Sequence, residues 1–182
     1  YSFFVKQLAA PSQVSYTGLT DSTGVGGKLT VNMGGAAAFE VDMASADADG
    51  NGTLTPREIA AAINAAANNG GKVTASIVNT NGTSELVLTS KETGANTALT
   101  LDTSLLTGTS SLAAANADPA RRRVLSLAQD AEIRVGSETG TVITQATNTF
   151  TAIDGVKMTF TKAQASGEAP VTLTVGPDDK AT

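Results

Sequence analysis

Hydrophobic and polar residues alternate in short runs along most of this 182-residue chain, a period of two that predicts strands. Tyr1 to Ala9 (YSFFVKQLA) is rich in aromatic and β-branched residues and predicts a strand stopped by Pro11. From there to Gly27 the chain is rich in Ser, Thr and Gly and predicts loop or weak strand. Leu29, Val31 and Met33 then point one way, with Thr30 and Asn32 the other. Phe39, Val41 and Met43 repeat the pattern beyond Gly34-Gly35, with Glu40 and Asp42 outward. Two such runs about a Gly-Gly turn predict a β-hairpin with one buried face.

The period changes once. Thr55 is placed as an N-cap, Pro56 takes the first helical position, and Glu58 follows Thr55 at the spacing of a capping box. Ile59, Ala62, Ile63 and Ala66 form a narrow apolar stripe at spacings of three and four, and Asn68-Asn69-Gly70-Gly71 ends the helix. Strands are predicted at Lys72 to Val78 and Glu85 to Ser90, joined by a turn at Asn79 to Ser84, with a short one at Ala98 to Asp102. The order β-β-α-β-β describes a small α+β unit with the helix on one sheet face.

Residues 103–120 lose periodicity and read as a Ser/Thr/Gly/Ala loop. A second block predicts strands at Ala131 to Val135, Thr141 to Gln145, Val156 to Lys162 and Val171 to Val175, and the polar tail beyond Gly176 is expected to fray. The expected fold is therefore mainly β with one α+β unit, in two small domains. Residues 1–17 and 121–182 would form an all-β antiparallel domain, and 18–120 an α+β domain inserted into it.

Composition narrows the chemistry. Cys, His and Trp are all absent, which excludes a Ser-His-Asp triad, a cysteine nucleophile and zinc held by His or Cys. The aromatics are five Phe and two Tyr, and 30 residues are Ala, so the large apolar side chains are sparse and the cores thin. A net charge of -5 opposes nucleic-acid binding. No apolar run approaches the roughly 18 residues of a membrane span. The start on Tyr1 within an apolar pattern is expected of a fragment excised from a longer protein.

One motif carries possible chemistry. Asp47, Asp49, Asn51, Gly52 and Glu58 match the D-x-[DN]-x-[DN]-G-x5-E calcium loop of an EF-hand, with Thr53 between them and Leu54 at the apolar position. Short oxygen-bearing side chains at alternate positions can wrap a hard cation. The same residues also suit a surface strand-to-helix loop: Phe39 to Met43 alternate as a strand where an EF-hand needs a helix, and Glu58 already has a capping role. No catalytic, cofactor-binding or metal-binding residue is assigned, and no cofactor is expected. Arg121-Arg122-Arg123 reads as a solvated linker, with an acidic partner surface as the other reading. Gly24, Gly26 and Gly27 lack the following GK[ST] and helix of a phosphate loop. Asp178-Asp179, Glu132 and Glu138 bring no two carboxylates into an apolar pocket.

Several segments together resemble the flagellar filament cap, or hook-associated protein 2, family. Tyr1 to Ala9 resembles its Y-x-h-x-V-x-Q-L-A strand, h being apolar. Glu58 to Asn64 resembles the "IN" motif shared by flagellin and hook-associated proteins, and Leu86 to Ala95 extends it. Ala128 to Ile133, Thr147 to Phe150, Ile153 to Val156 and Pro170 to Val175 follow in the family's order. The resemblance implies the head region of the cap, without its helical legs. It implies a structural, non-enzymatic protein that is exported unfolded through the flagellar channel and sits extracellularly at the flagellum tip. Its implied partners are flagellin and other copies of itself in a ring; neither nucleic acid nor membrane is expected. A surface adhesin role for the same cap, meeting host surface glycans through the exposed Ser/Thr-rich loops at 79–84 and 103–118, is a further reading. The acidic stretch Ala46 to Thr53 is not part of the resemblance. A calcium-dependent extracellular adhesion module using Asp47, Asp49, Asn51 and Glu58 is the alternative reading.

Overall fold

The computed structural model describes residues 1–176. The tail with Asp178 and Asp179 lies outside the described residues. The chain runs β1 (Ser2–Gln7), β2 (Pro11–Leu19), β3 (Ser22–Thr23), β4 (Gly26–Met33), β5 (Ala36–Asp42), β6 (Thr53–Leu54), α1 (Pro56–Ala65), β7 (Val73–Thr80) and β8 (Thr83–Thr93). It continues through a single 3-10 turn to β9 (Leu99–Asp102), β10 (Leu106–Thr107), α2 (Ser111–Ala117) and β11 (Arg122–Ser126). The last elements are β12 (Ala131–Val135), β13 (Thr141–Gln145), β14 (Thr149–Phe150), β15 (Met158–Thr159) and β16 (Val171–Thr172). The fold is mainly β and antiparallel, as expected, with two helices among the described residues instead of one.

Two hairpins form as their turn residues dictate. Met33 pairs with Ala36 across Gly34 and Gly35, which have φ 63° and 84°. Thr80 pairs with Thr83 across Asn81 and Gly82, at φ 51° and 76°. Two consecutive left-handed residues match the right-handed twist of the flanking strands, and only Gly and Asn enter that region cheaply.

The larger core lies between the sheet β11-β2-β8-β7 and the strands β4, β5 and β9, closed by both helices. Val14, Tyr16, Leu86 and Leu88 enter from the first sheet, and Leu29, Val31, Phe39, Val41, Leu99 and Leu101 from the second. The predicted inward residues of the first hairpin are indeed buried, except Met33, which is half-buried.

Residues 11–19, expected as loop or weak strand, are instead the nine-residue β2. It pairs with β8 on one side and β11 on the other. Pro11 does not break it, because the first position of a strand tolerates the missing N–H. The buried Ser12 hides the strand's character from a hydrophobicity pattern. Its amide donates to Ser90 Oγ at 2.9 Å, and its Oγ accepts from the Leu99 amide at 3.0 Å. β11 likewise falls in this larger sheet. Thus residues 11–17 and 122–126, expected with the all-β block, belong to the sheet that borders the larger core.

α2 was also hidden, inside the segment expected to be loop. Ser110 caps it through the Ala113 amide, and only Leu112 and Ala115 are buried. Two inward residues are too few to display a period, although the run of Ala favours helix.

α1 has the predicted capping box, with Glu58 Oε1 3.1 Å from the Thr55 amide and Thr55 Oγ1 3.2 Å from the Glu58 amide. Its buried side chains are Pro56, Ile59, Ala60 and Ile63, while Ala62 and Ala66 are partly buried against the same core. The helix also seals a sheet edge. β7 is the last strand of its sheet, so every second residue directs its N–H and C=O outward. Asn64 Nδ2 donates to Ala75 O and Asn64 Oδ1 accepts from the Ala75 amide, both at 2.8 Å. The buried Asn69 does the same for Val73, through bonds of 3.0 Å each. Two side-chain amides thus stand where another strand would be.

A smaller core gathers Phe3, Val5, Ala9, Ala131, Ile133, Phe150 and Met158. Phe160 joins it, with edge-to-face contacts to Phe3 (centroids 6.1 Å apart) and Phe150 (5.6 Å). Its sheet has the order β13-β12-β1-β16. The strand expected over Val156 to Lys162 shrinks to Met158–Thr159, and that over Val171 to Val175 to Val171–Thr172. These runs meet only short lengths of partner: β15 faces two residues of β14, and β16 two residues of β1.

Between the cores the chain passes through Leu8 to Ala10. Asn148 holds Ala9 by both polar groups, at 2.6 Å from the amide and 3.1 Å from the carbonyl. Ala10 exchanges two backbone bonds with Gln129, and Gln129 Nε2 reaches Leu8 O at 3.0 Å. Across the same joint Asp130 Oδ1 accepts the Ala95 amide at 2.8 Å, and Thr93 Oγ1 donates to Ala146 O at 2.6 Å. At Gly94, with φ 112°, a Cβ would come within 2.7 Å of the Ala146 Cβ, so the close approach requires glycine.

Asn64→Ala removes both side-chain bonds to Ala75 and is expected to cost about 1–2 kcal/mol. Denaturant melts would measure that loss, and amide exchange at Ala75 should quicken ahead of its neighbours. An unchanged melt and exchange rate would mean that water replaces Asn64 at no cost.

Candidate functional site

The acidic loop is built by its two ends. β5 delivers the chain to it, and Ala46 on one side and Leu54 on the other are buried in the larger core. Thr53–Leu54 pairs with Ser22–Thr23, which anchors the exit into α1. Carboxylate oxygens of Asp47, Asp49 and Glu58 then lie within 4.8 Å of one another. The loop therefore gathers the three predicted carboxylates on one side of a tight turn.

Most of their oxygens are already engaged. Asp47 Oδ2 accepts the Gly52 amide at 2.7 Å. Asp49 takes the Asn51 amide at 3.2 Å and its side-chain nitrogen at 2.9 Å. Asn51 Oδ1 turns to the Thr53 amide at 2.7 Å. Glu58 Oε2 accepts from the Ala48 amide at 2.9 Å, while Oε1 serves the helix cap. Asp47 Oδ1 alone is shielded from solvent without a partner.

The Gly52 amide holds the Asp47 carboxyl below its usual pKa, aided by Asp49 and the Asn51 and Gly50 amides against a smaller effect of burial. At Asp49 the Asn51 amide pulls downward, but the neighbouring Asp47, burial and the Glu58 charge together push the carboxyl up. Mutual repulsion is thus concentrated on Asp49, the more exposed of the two. A strand enters the loop where an EF-hand has a helix, and nothing beyond the loop's own carboxylates supports a calcium-dependent adhesion module.

The other candidates resolve differently. Arg121 donates to Thr17 O at 3.2 Å and Gly18 O at 2.8 Å, and Arg122 to Asn116 O at 2.9 Å. Arg122 and Arg123 belong to β11, so the basic run is not a linker. Gly26 and Gly27 lie in β4, followed by strand and not helix. Glu132 pairs with Arg134 at 2.7 Å and Lys6 at 3.8 Å on the small sheet, and Glu138 is drawn below its usual range by Ser166 and the Gly167 amide. Residues 79–84 form the tight Asn81-Gly82 hairpin, and 103–118 contain β10 and α2. Among the described residues no helix is long and apolar enough to cross a membrane.

Comparison with known proteins places the chain. No protein-family model matches it. A lateral flagellar hook-associated protein 2 of Vibrio parahaemolyticus is 37% identical over 190 residues, a match that covers 100% of this chain. The chain resembles flagellar hook-associated protein 2 over its whole length. It spans 41% of the length of that curated relative.

Solved structures agree on the fold. The FliD (HAP2) structure from Pseudomonas aeruginosa superposes with TM-score 0.75 at 24% identity, over 98% of this chain and 80% of that one. The D2-D3 domains of the flagellar cap protein FliD from Serratia marcescens give 0.70 at 23%, over 96% and 91%. Those from Escherichia coli give 0.69 at 24%, over 90% and 83%.

The segments that resemble hook-associated protein 2 converge in this fold. Asn64 of the "IN" motif seals β7. Leu86 to Ala95 ends at the joint, where Ala128 to Ile133 and Thr147 to Phe150 supply Gln129, Asp130 and Asn148. The motif was legible in the sequence; the role of its side-chain amides was not, because their backbone partners are remote along the chain.

Asp47→Ala is expected to lower the melting temperature at neutral pH, and the difference should vanish as acid protonates Asp47 through its lowered pKa. Asp49→Asn should raise the melting temperature at neutral pH, where the charged form is repelled, and have no effect in acid, where the native protein already holds that proton. Melting curves from pH 7 to about pH 2 would check both signs.

Isothermal titration with millimolar calcium should give no saturable heat, since the loop's amides already occupy the carboxylates. A saturable heat lost in Asp47→Ala would restore the cation reading.

Proposed function

We propose that this chain is the head region of a flagellar filament cap, a structural and non-enzymatic part that oligomerises at the filament tip and promotes flagellin assembly. The observation that carries the reading is the whole-chain likeness to a lateral flagellar hook-associated protein 2. The likeness to cap-protein head folds supports it independently of sequence identity. Export through the flagellar channel to an extracellular position follows from the same reading. A chain without Cys has no disulfides to form or break on the way. Its partners would be flagellin and further copies of itself.

Within this reading the two hydrophobic cores are two domains, the α+β one inserted into the all-β one. The pairing of β2 with β8 and β11 supports joints near Ala10 and Leu127, closer to the chain ends than the positions 17 and 121 expected from the pattern.

The test uses the full-length protein that contains this segment. Electron microscopy is expected to show it as a ring on filament ends, and bacteria lacking it should fail to build filaments until it is restored. A full-length protein that stays monomeric by light scattering, in bacteria that build filaments without it, would overturn the proposal.

A further inference from the structure

The sheet β11-β2-β8-β7 has two edges, and they are treated in opposite ways. The β7 edge is closed at Val73 and Ala75 by Asn69 and Asn64. Among the described residues the β11 edge has no such cover. Thr17 donates to Arg121 O at 2.9 Å, so the alternation of the antiparallel ladder turns the Arg123 backbone toward β2 and the Val124 N–H and C=O away from it. Around that open position Val124 is 64% exposed, Leu125 49% and Leu127 67%. Single exposed apolar residues need no explanation, but three within four positions of an open sheet edge do.

The chemistry beside the edge is equally directional. The run Arg121 to Arg123 supplies three of the chain's 12 cationic side chains in a protein of net charge -5, and none of the three pairs with a carboxylate among the described residues. Arg121 and Arg122 are spent on backbone carbonyls, whereas Arg123 is exposed with no polar partner among the described residues. Arg123 pairs across the ladder with Ser15 and so lies on the face opposite to Val124, which pairs with the core residue Val14. Beside Val124 a groove of about 350 Å³ opens, walled by Val14, Tyr16, Leu99 and Leu101, with Arg122 and Arg123 also lining it.

We propose that β11 is a docking edge for an extended segment of a partner protein in which carboxylates alternate with apolar residues. Such a strand adds to the sheet by bonding the Val124 backbone. Its period of two then sets acidic side chains beside Arg123 and apolar side chains against Val124 and the Leu99 and Leu101 walls of the groove. A basic segment is repelled, and a helix leaves the Val124 N–H and C=O unmet. The inference concerns this surface alone and holds or fails separately from the cap proposal, because its test contains neither flagellin nor a filament.

The probe is a short fluorescent peptide alternating glutamate and valine, titrated with this chain and read by anisotropy. Saturable binding is expected at sub-millimolar concentration. Replacing the peptide's glutamates by lysine, or N-methylating its alternate amides, should each weaken it about tenfold or more. Arg123→Glu, on an exposed side chain, should do the same while leaving the melting temperature unchanged. No saturation by about 1 mM, equal binding of the glutamate and lysine peptides, or indifference to both Arg123→Glu and N-methylation would overturn the proposal.

Discussion

The arrangement of this molecule depends on how the chain passes between its two cores. A strand pair is self-sufficient in backbone bonds, but Leu8 to Ala10 leaves β1 before β2 begins and must find partners elsewhere. It finds them in Asn148, which meets both polar groups of Ala9, and in Gln129, which meets Ala10 through its backbone and Leu8 through its side chain. Asp130 and Thr93 then tie the two sides together, at an approach close enough to require Gly94. An unmet buried amide costs more than an ordinary bond contributes, so these contacts hold their geometry against alternatives.

Side-chain amides do a second task at the sheet margins. Antiparallel sheets end in strands whose outward N–H and C=O groups invite further pairing. Asn64 and Asn69 occupy those groups on β7, so one margin is closed by the helix that covers the sheet. The β11 margin keeps its Val124 backbone, exposed apolar side chains and Arg123. The asymmetry gives this sheet one margin closed by side-chain amides and one that is not.

What could be read from the chain depended on how each element is stabilised. The β4–β5 hairpin and α1 were legible because each carries its own signal: alternation about Gly34-Gly35, and a capping box before an apolar stripe. β2 was not, because Ser12 and Ser15 are buried as fully as its Val and Tyr, and buried hydroxyls imitate a loop in any hydrophobicity pattern. α2 was missed because only Leu112 and Ala115 face inward. In the acidic loop the ligand-like residues were readable at once. Their commitment to the Gly52, Asn51 and Ala48 amides was not, since it depends on the path the loop takes between Ala46 and Leu54.

By itself the sequence determined that the protein is mainly β, that one capped helix packs on a hairpin-built sheet, and that His- or Cys-based chemistry is absent. Those properties are local or compositional, and local periodicity and residue chemistry are enough to set them. Only the tertiary structure decided that β2 and β11 belong to the larger sheet and where the chain crosses between cores. It also decided which margin stays open, because each outcome turns on a backbone group finding a partner distant along the chain, such as Ala9 with Asn148 or Ala75 with Asn64.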